Sequence, residues 1–179
     1  MSRSKKQERI SRIITLGEIT EESANDVIWL IYEINREDDN RPSSVREPIH
    51  ILLNSLGGDM YDGFAIIDAM MNSQTPIHVT VLGKAMSMAL LIATCADHTK
   101  ATSRTTFMYH DSSYDLSGKK SYHKQELAEV ERMDEMYDDL LINTTKLTKK
   151  QLDKVKNERR DWYITADDAL KFGIIDEII

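Results

Sequence analysis

The chain has 179 residues, of which 41% are apolar and 30% charged, with seven glycines and three prolines. That length suits one domain with a real core, and the composition excludes collagen-like, low-complexity and largely disordered classes. A net charge of -7 argues against a general nucleic-acid binder, and the single cysteine, Cys95, excludes an intrachain disulfide framework and a Cys-based zinc site.

The cysteine usage fits a reducing, cytoplasmic setting. No stretch approaches the ~18 consecutive apolar residues of a membrane span, so no membrane partner is expected. Met1–Arg9 lacks the apolar core of a secretion signal, and residues 1–12 read as a basic, flexible arm. Residues 13–179 then form a single domain.

Ile10–Leu16 reads as a strand closed by Gly17. Thr20 caps a helix whose Val27, Leu30, Ile31 and Ile34 follow 3.6 spacing. Arg36–Glu47 reads as an exposed loop. Ile49–Leu53 is an apolar run expected to be a strand buried on both faces. Asn54–Gly58 is a turn leading into a helix through Tyr61, Phe64, Ile67 and Met71. Ile77–Leu82 is the next strand, stopped by Gly83, and Met86–Ala96 is a buried helix. His98 falls in a charged turn. Thr105–Tyr109 is a strand ending at His110. A long charged helix spans about 121–144, with an apolar stripe of Leu127, Val130, Met133, Met136, Tyr137, Leu140 and Leu141. Thr148–Gln151 is a capping box, Thr165–Asp168 opens another helix that Gly173 ends, and Ile174–Ile179 is a closing strand. Alternating strands and helices predict an α/β fold with a mostly parallel sheet.

Three residues suit nucleophilic catalysis. Ser87 falls where a strand passes into a helix, at the sheet edge where α/β proteins bind ligands. His110, at a strand end, suits a general base. Asp161, in Arg159-Arg160-Asp161-Trp162, suits an orienting acid. Taken singly, each has a blander reading: a helix-start serine, an edge histidine, a salt-bridged acid. Gly57-Gly58 follows a strand and lets backbone N–H groups approach a substrate, although an ordinary turn needs the same glycines. No metal-ligand spacing and no phosphate loop occurs, so neither a metal nor a cofactor is expected.

Together these segments resemble the proteolytic-subunit family of the Clp protease, ClpP. Asn54-Ser55-Leu56-Gly57-Gly58 is similar to its Asn-Ser-Pro-Gly-Gly turn. Gly83-Lys84-Ala85-Met86-Ser87-Met88 is similar to its Gly-x-Ala-Ala-Ser-Met motif, and Met108-Tyr109-His110 to its Met-Ile-His motif. Arg160-Asp161-Trp162-Tyr163 and the segment from Thr165 to Asp176 resemble the family's ending.

The resemblance implies a ClpP/crotonase-like fold of repeated β-β-α and βαβ units, with 121–144 as a protruding handle helix. It implies Ser87 as nucleophile, His110 as base, Asp161 as orienting acid, and the backbone N–H groups of Gly58 and Met88 as the oxyanion hole. The activity implied is a self-compartmentalised serine endopeptidase acting on peptides and unfolded proteins. Its subunits would form heptameric rings stacked into a tetradecamer, with Arg160 pairing across rings. ATP would enter only through a partner ATPase. Docking of that ATPase is doubted, because the basic arm is short and His98–Ser103 lacks large apolar side chains; His50 and Leu52 also stand where the family tends to have tyrosines. These departures point to a divergent or phage-type member. Alternatives are a non-hydrolytic ring subunit, a phage prohead maturation protease of the same chemistry, or an acyl-CoA enzyme of the crotonase type.

Overall fold

The computed structural model describes residues 10–113 and 119–179. Seven strands, β1 (Ile13–Leu16), β2 (Ile49–Ser55), β3 (Ile77–Met86), β4 (His98–Ala101), β5 (Thr106–Tyr109), β6 (Trp162–Thr165) and β7 (Glu177–Ile178), form one sheet. Among the described residues six α-helices accompany them: α1 (Glu21–Glu37), α2 (Met60–Met71), α3 (Met88–Thr94), α4 (Lys120–Thr144), α5 (Lys149–Glu158) and α6 (Ala166–Phe172). The main path runs β1-β2-β3-β4-β7 and is parallel; β5 branches from β3 in parallel and pairs antiparallel with β6. The expected α/β class and mostly parallel sheet are both present.

The helix starts follow the capping signals. Thr20 and Ser23 close a reciprocal capping box on α1. The Gln151 side chain accepts from the N–H and hydroxyl of Thr148 at 3.0 and 2.7 Å. Thr165 caps α6, and Gly173 ends it at φ 69°. α4 begins and ends within a residue of the expected span.

Several boundaries differ. β2 alternates: Ile49, Ile51 and Leu53 are buried against the helices, whereas His50 and Leu52 stay half-buried on the other face. His50, His78 and His98 form a row across it, with ring centroids 5.6 and 5.5 Å apart. His98 therefore opens β4 rather than lying in a turn, in register with His78. Strand β3 does not stop at Gly83. That glycine takes φ 86°, and the strand changes partner there, from β4 at residues 78–81 to β5 at 84–86. Helix α3 accordingly starts at Met88 rather than Met86. β6, which pattern reading missed, is only four residues long and takes its shape from pairing with β5.

The loop after α1 is mostly exposed, but Asp38 at its start is 1% exposed. Both carboxylate oxygens of Asp38 accept from the Arg12 guanidinium at 2.7 Å. Arg12 thus packs against the domain at what was expected to be the end of a loose arm; residues 1–9 of that arm lie outside the described residues. Burial raises the Asp38 pKa, but the Arg12 hydrogen bond and charge, with help from Thr75 and Arg41, outweigh it and hold the carboxyl below its ordinary value.

Candidate active site

The site forms where β3 hands the chain to α3. Ser87 occupies the N-cap of α3 at φ 51°, ψ -129°, and its side chain makes no capping bond. A non-glycine residue in this region is strained by about 1–3 kcal/mol. The Ser87 N–H donates to the Met108 carbonyl at 2.8 Å, and the Tyr137 hydroxyl donates to the Ser87 carbonyl at 2.9 Å. These bonds hold the strained turn and leave the hydroxyl free for other work. Its oxygen lies 2.9 Å from His110 Nε2. Both side chains are partly buried, so the contact is shielded but reachable. Two residues 23 apart in sequence thus come within hydrogen-bonding distance, the geometry that nucleophile–base pairs share.

The Gly57-Gly58 turn packs directly on this pair. A Cβ on Gly57 would lie 2.8 Å from Ser87 Cβ and 3.2 Å from the Met88 nitrogen, so only glycine permits the approach. Gly58 sits at φ 149°, where a Cβ would meet the Ile19 carbonyl oxygen at 2.1 Å. The isolated bridge between Ile19 and Gly58 is closed by the N–H groups of Ile19 and Asp59, at 3.0 Å each, which leaves the Gly58 N–H outside it. The Met88 N–H belongs to the first turn of α3, where backbone donors lack intrahelical acceptors. The turn therefore lies directly against Ser87 and the Met88 backbone nitrogen.

Asp161 is exposed and lies 3.5 Å from the Tyr163 hydroxyl. Among the described residues no hydrogen bond joins it to His110. Its backbone place is nevertheless specific. The β5–β6 ladder pairs Met108 with Tyr163 and Tyr109 with Trp162, and His110 and Asp161 are the residues adjoining that last pair on the two strands. Residues opposite each other in an antiparallel pair project to one face, with Cβ atoms about 5 Å apart.

A family model described as Clp protease matches residues 3–179. The chain belongs to the Clp protease family. The ATP-dependent Clp protease proteolytic subunit of Borreliella afzelii is 31% identical over 171 residues, covering 94% of this chain and 83% of that protein. Proteolytic subunit 1 of Prochlorococcus marinus subsp. pastoris is 28% identical over 172 residues, covering 94% and 83%. The Deinococcus radiodurans subunit is 28% identical over 171 residues, covering 94% and 80%. The family is one of peptidases, and the mixed α/β architecture described above is consistent with its fold. No helix among the described residues is long and apolar enough to cross a membrane.

Beside the Ser87–His110 pair lies a cavity that sequence reading did not anticipate. Met60, Met88, Tyr109, Ser112, Asp134, Tyr137, Asp138 and Lys156 line it with the pair itself, around a small space of about 30 Å³. Asp138 is buried; its two oxygens take the Tyr109 hydroxyl at 2.7 Å and the Lys156 ammonium at 2.8 Å. Burial and the Asp138 contact push the Tyr109 pKa far up, and burial does the same to Tyr137, so both remain hydroxyl donors. Asp134 accepts from the Ser112 hydroxyl at 3.0 Å. Burial pushes its carboxyl above the ordinary value, while Ser112 and Lys156 pull it back. The one signal in the sequence is that Asp134, Tyr137 and Asp138 stand at i, i+3 and i+4 on a helix, and therefore share a face.

Proposed function

We propose that this member of the family is a serine endopeptidase using Ser87, His110 and Asp161 as a catalytic triad. The observation that carries the reading is the 2.9 Å contact between Ser87 Oγ and His110 Nε2 at a strained strand-to-helix turn. Ser87 attacks a peptide carbonyl while His110 takes its proton and later gives it to the leaving amine. The N–H groups of Gly58 and Met88 receive the oxyanion. A side-chain rotation carries Asp161 from Tyr163 toward the ring of His110 across the ladder, where it orients the imidazole and stabilises its cation. No cofactor takes part; ATP bears on the process only through a partner.

The substrates are peptides and unfolded chains in the cytoplasm, reached inside a barrel of two stacked heptameric rings. The exposed Leu127 and Met136 on α4 support that assembly, because an isolated chain leaves them in water. The open sheet face carries His50, His78, His98 and Lys100, with Ile13 and Leu52 beside His50. Its histidine row and Lys100 support weak or absent docking of a Clp ATPase, whose contacts need apolar anchors.

A fluorophosphonate probe tests the chemistry. It should label Ser87, and Ser87→Ala should abolish both labelling and peptide hydrolysis while the oligomer persists. Hydrolysis by Ser87→Ala within about tenfold of the unaltered protein overturns the assignment.

A further inference from the structure

We propose that His78 and His98, side by side on the sheet face that carries the histidine row, bind a divalent transition-metal ion of the zinc class through two imidazoles, with water in its remaining positions. The proposal is independent of the hydrolase reading above, since neither histidine lines the space beside Ser87.

The two residues are far apart in sequence, so no ligand spacing shows them; the ladder makes the pair. β3 and β4 are parallel, and His78 is the register partner of His98. Neighbouring strands lie about 4.8 Å apart, so register partners stand abreast on one face. Both residues are half-buried, within reach of an ion from solvent. Their ring centroids are 5.5 Å apart. A nitrogen about 2.1 Å from zinc puts its ring centroid about 3.2 Å from the metal, and two such rings on a tetrahedral ion have centroids about 5.2 Å apart. The observed spacing is close to that value. The ring planes cross at 66°, so a modest rotation aims one nitrogen of each ring at a shared ion. Among the described residues no three metal-ligating side chains converge, and the coordination is therefore completed by water.

Charge selects this pair from the row. Asp176 Oδ2 lies 3.4 Å from His98 Nδ1, and Glu177 Oε2 lies 3.6 Å from His98 Nε2. A carboxylate beside a ligating histidine fixes its ring and raises its basicity. The two carboxylates also favour a dication, against the single ammonium of Lys100 further along β4. His50 instead has the apolar Ile13 as its other register partner. Burial, then the neighbouring His50 and His98, hold the His78 pKa below its ordinary value, so at pH 7 its ring is neutral and has a lone pair to give. Burial pushes the Cys95 thiol up to about 11, which keeps it protonated and removes it as a rival ligand.

The test is calorimetric titration of zinc chloride into the full-length protein after chelator treatment and dialysis, with nickel and magnesium alongside. Zinc and nickel should bind at one ion per subunit with micromolar affinity, and magnesium, which prefers oxygen ligands, should not bind. His98→Ala and His78→Gln should each weaken zinc binding about tenfold or more, since one imidazole is lost. His50→Ala should change it by less than about threefold. Circular dichroism verifies that each variant is folded. A zinc Kd weaker than about 1 mM, or an affinity unmoved by both His78→Gln and His98→Ala, overturns the proposal. A titration abolished by His110→Ala instead assigns the ion to the Ser87 site and overturns it as well. Neither result bears on peptide hydrolysis, which the fluorophosphonate probe tests separately.

Discussion

The hydroxyl of Tyr137, in the C-terminal third of the long helix α4, donates to the carbonyl of Ser87 at 2.9 Å. The strained residue proposed as the nucleophile is thereby braced from an element fifty residues away in sequence. The same carbonyl also accepts the Leu90 N–H at 2.9 Å, so losing the tyrosine does not orphan it. Tyr137→Phe should cost only about 1 kcal/mol of stability. Its effect on hydrolysis should be larger, about tenfold in kcat, because a relaxed turn misplaces Oγ by a fraction of an ångström. Denaturant titration and steady-state kinetics on the same variant check both figures. A kcat equal to that of the unaltered protein shows that α4 does not position Ser87.

Asp161→Asn leaves the backbone ladder in place and removes only the negative charge. The expected loss is about 10³- to 10⁴-fold in kcat with little change in KM, because the histidine tautomer and its cation lose support. Asp138→Asn serves as the comparison, since Asp138 lies near the site but is committed to Tyr109 and Lys156. A rate loss confined to Asp138→Asn reassigns the orienting acid.

The Arg12–Asp38 pair is the most deeply buried ion pair among the described residues, with side chains 9% and 1% exposed. Asp38→Asn strands the guanidinium and should destabilise the fold by about 3–5 kcal/mol at neutral pH. Because the folded pKa of Asp38 is lowered, its contribution is complete above the ordinary aspartate value and disappears as pH falls through the folded one. The gap in urea midpoint between the two proteins should therefore be widest at pH 7 and narrow near pH 3. A gap that stays constant with pH means the pair contributes packing and not charge.

Assembly should depend on the outer stripe of α4. Met133 and Leu141 are buried within the chain, whereas Leu127 and Met136 are 39% and 41% exposed. Changing the latter two to Asp should leave the monomer folded and shift the species from about fourteen subunits toward seven or fewer, because each charge meets an apolar contact. Size-exclusion chromatography with light scattering reads the result. An unchanged elution volume removes this stripe from the ring contact.

Local chemistry marked many elements in the sequence. Caps at Thr20, Thr148 and Thr165, the stop at Gly173 and the span of α4 were legible because a capping side chain and a 3.6 spacing act within four residues. Ser87, His110, Asp161 and the glycine turn could be named as candidates, since their motifs are continuous in the chain. Their relationships could not. The Ser87–His110 contact exists because β3 leaves β4 at Gly83 and turns to β5, a switch that depends on positive φ and on which strand edge is free. β6, and with it the place of Asp161 just before that strand, follows from antiparallel pairing between segments about fifty residues apart, for which no local periodicity exists. The same holds for the burial of Asp38 in a polar loop and for the cavity holding Asp134. A charged residue reads as exposed until a distant partner such as Arg12 arrives, and a pocket is the space left between elements that only packing brings together.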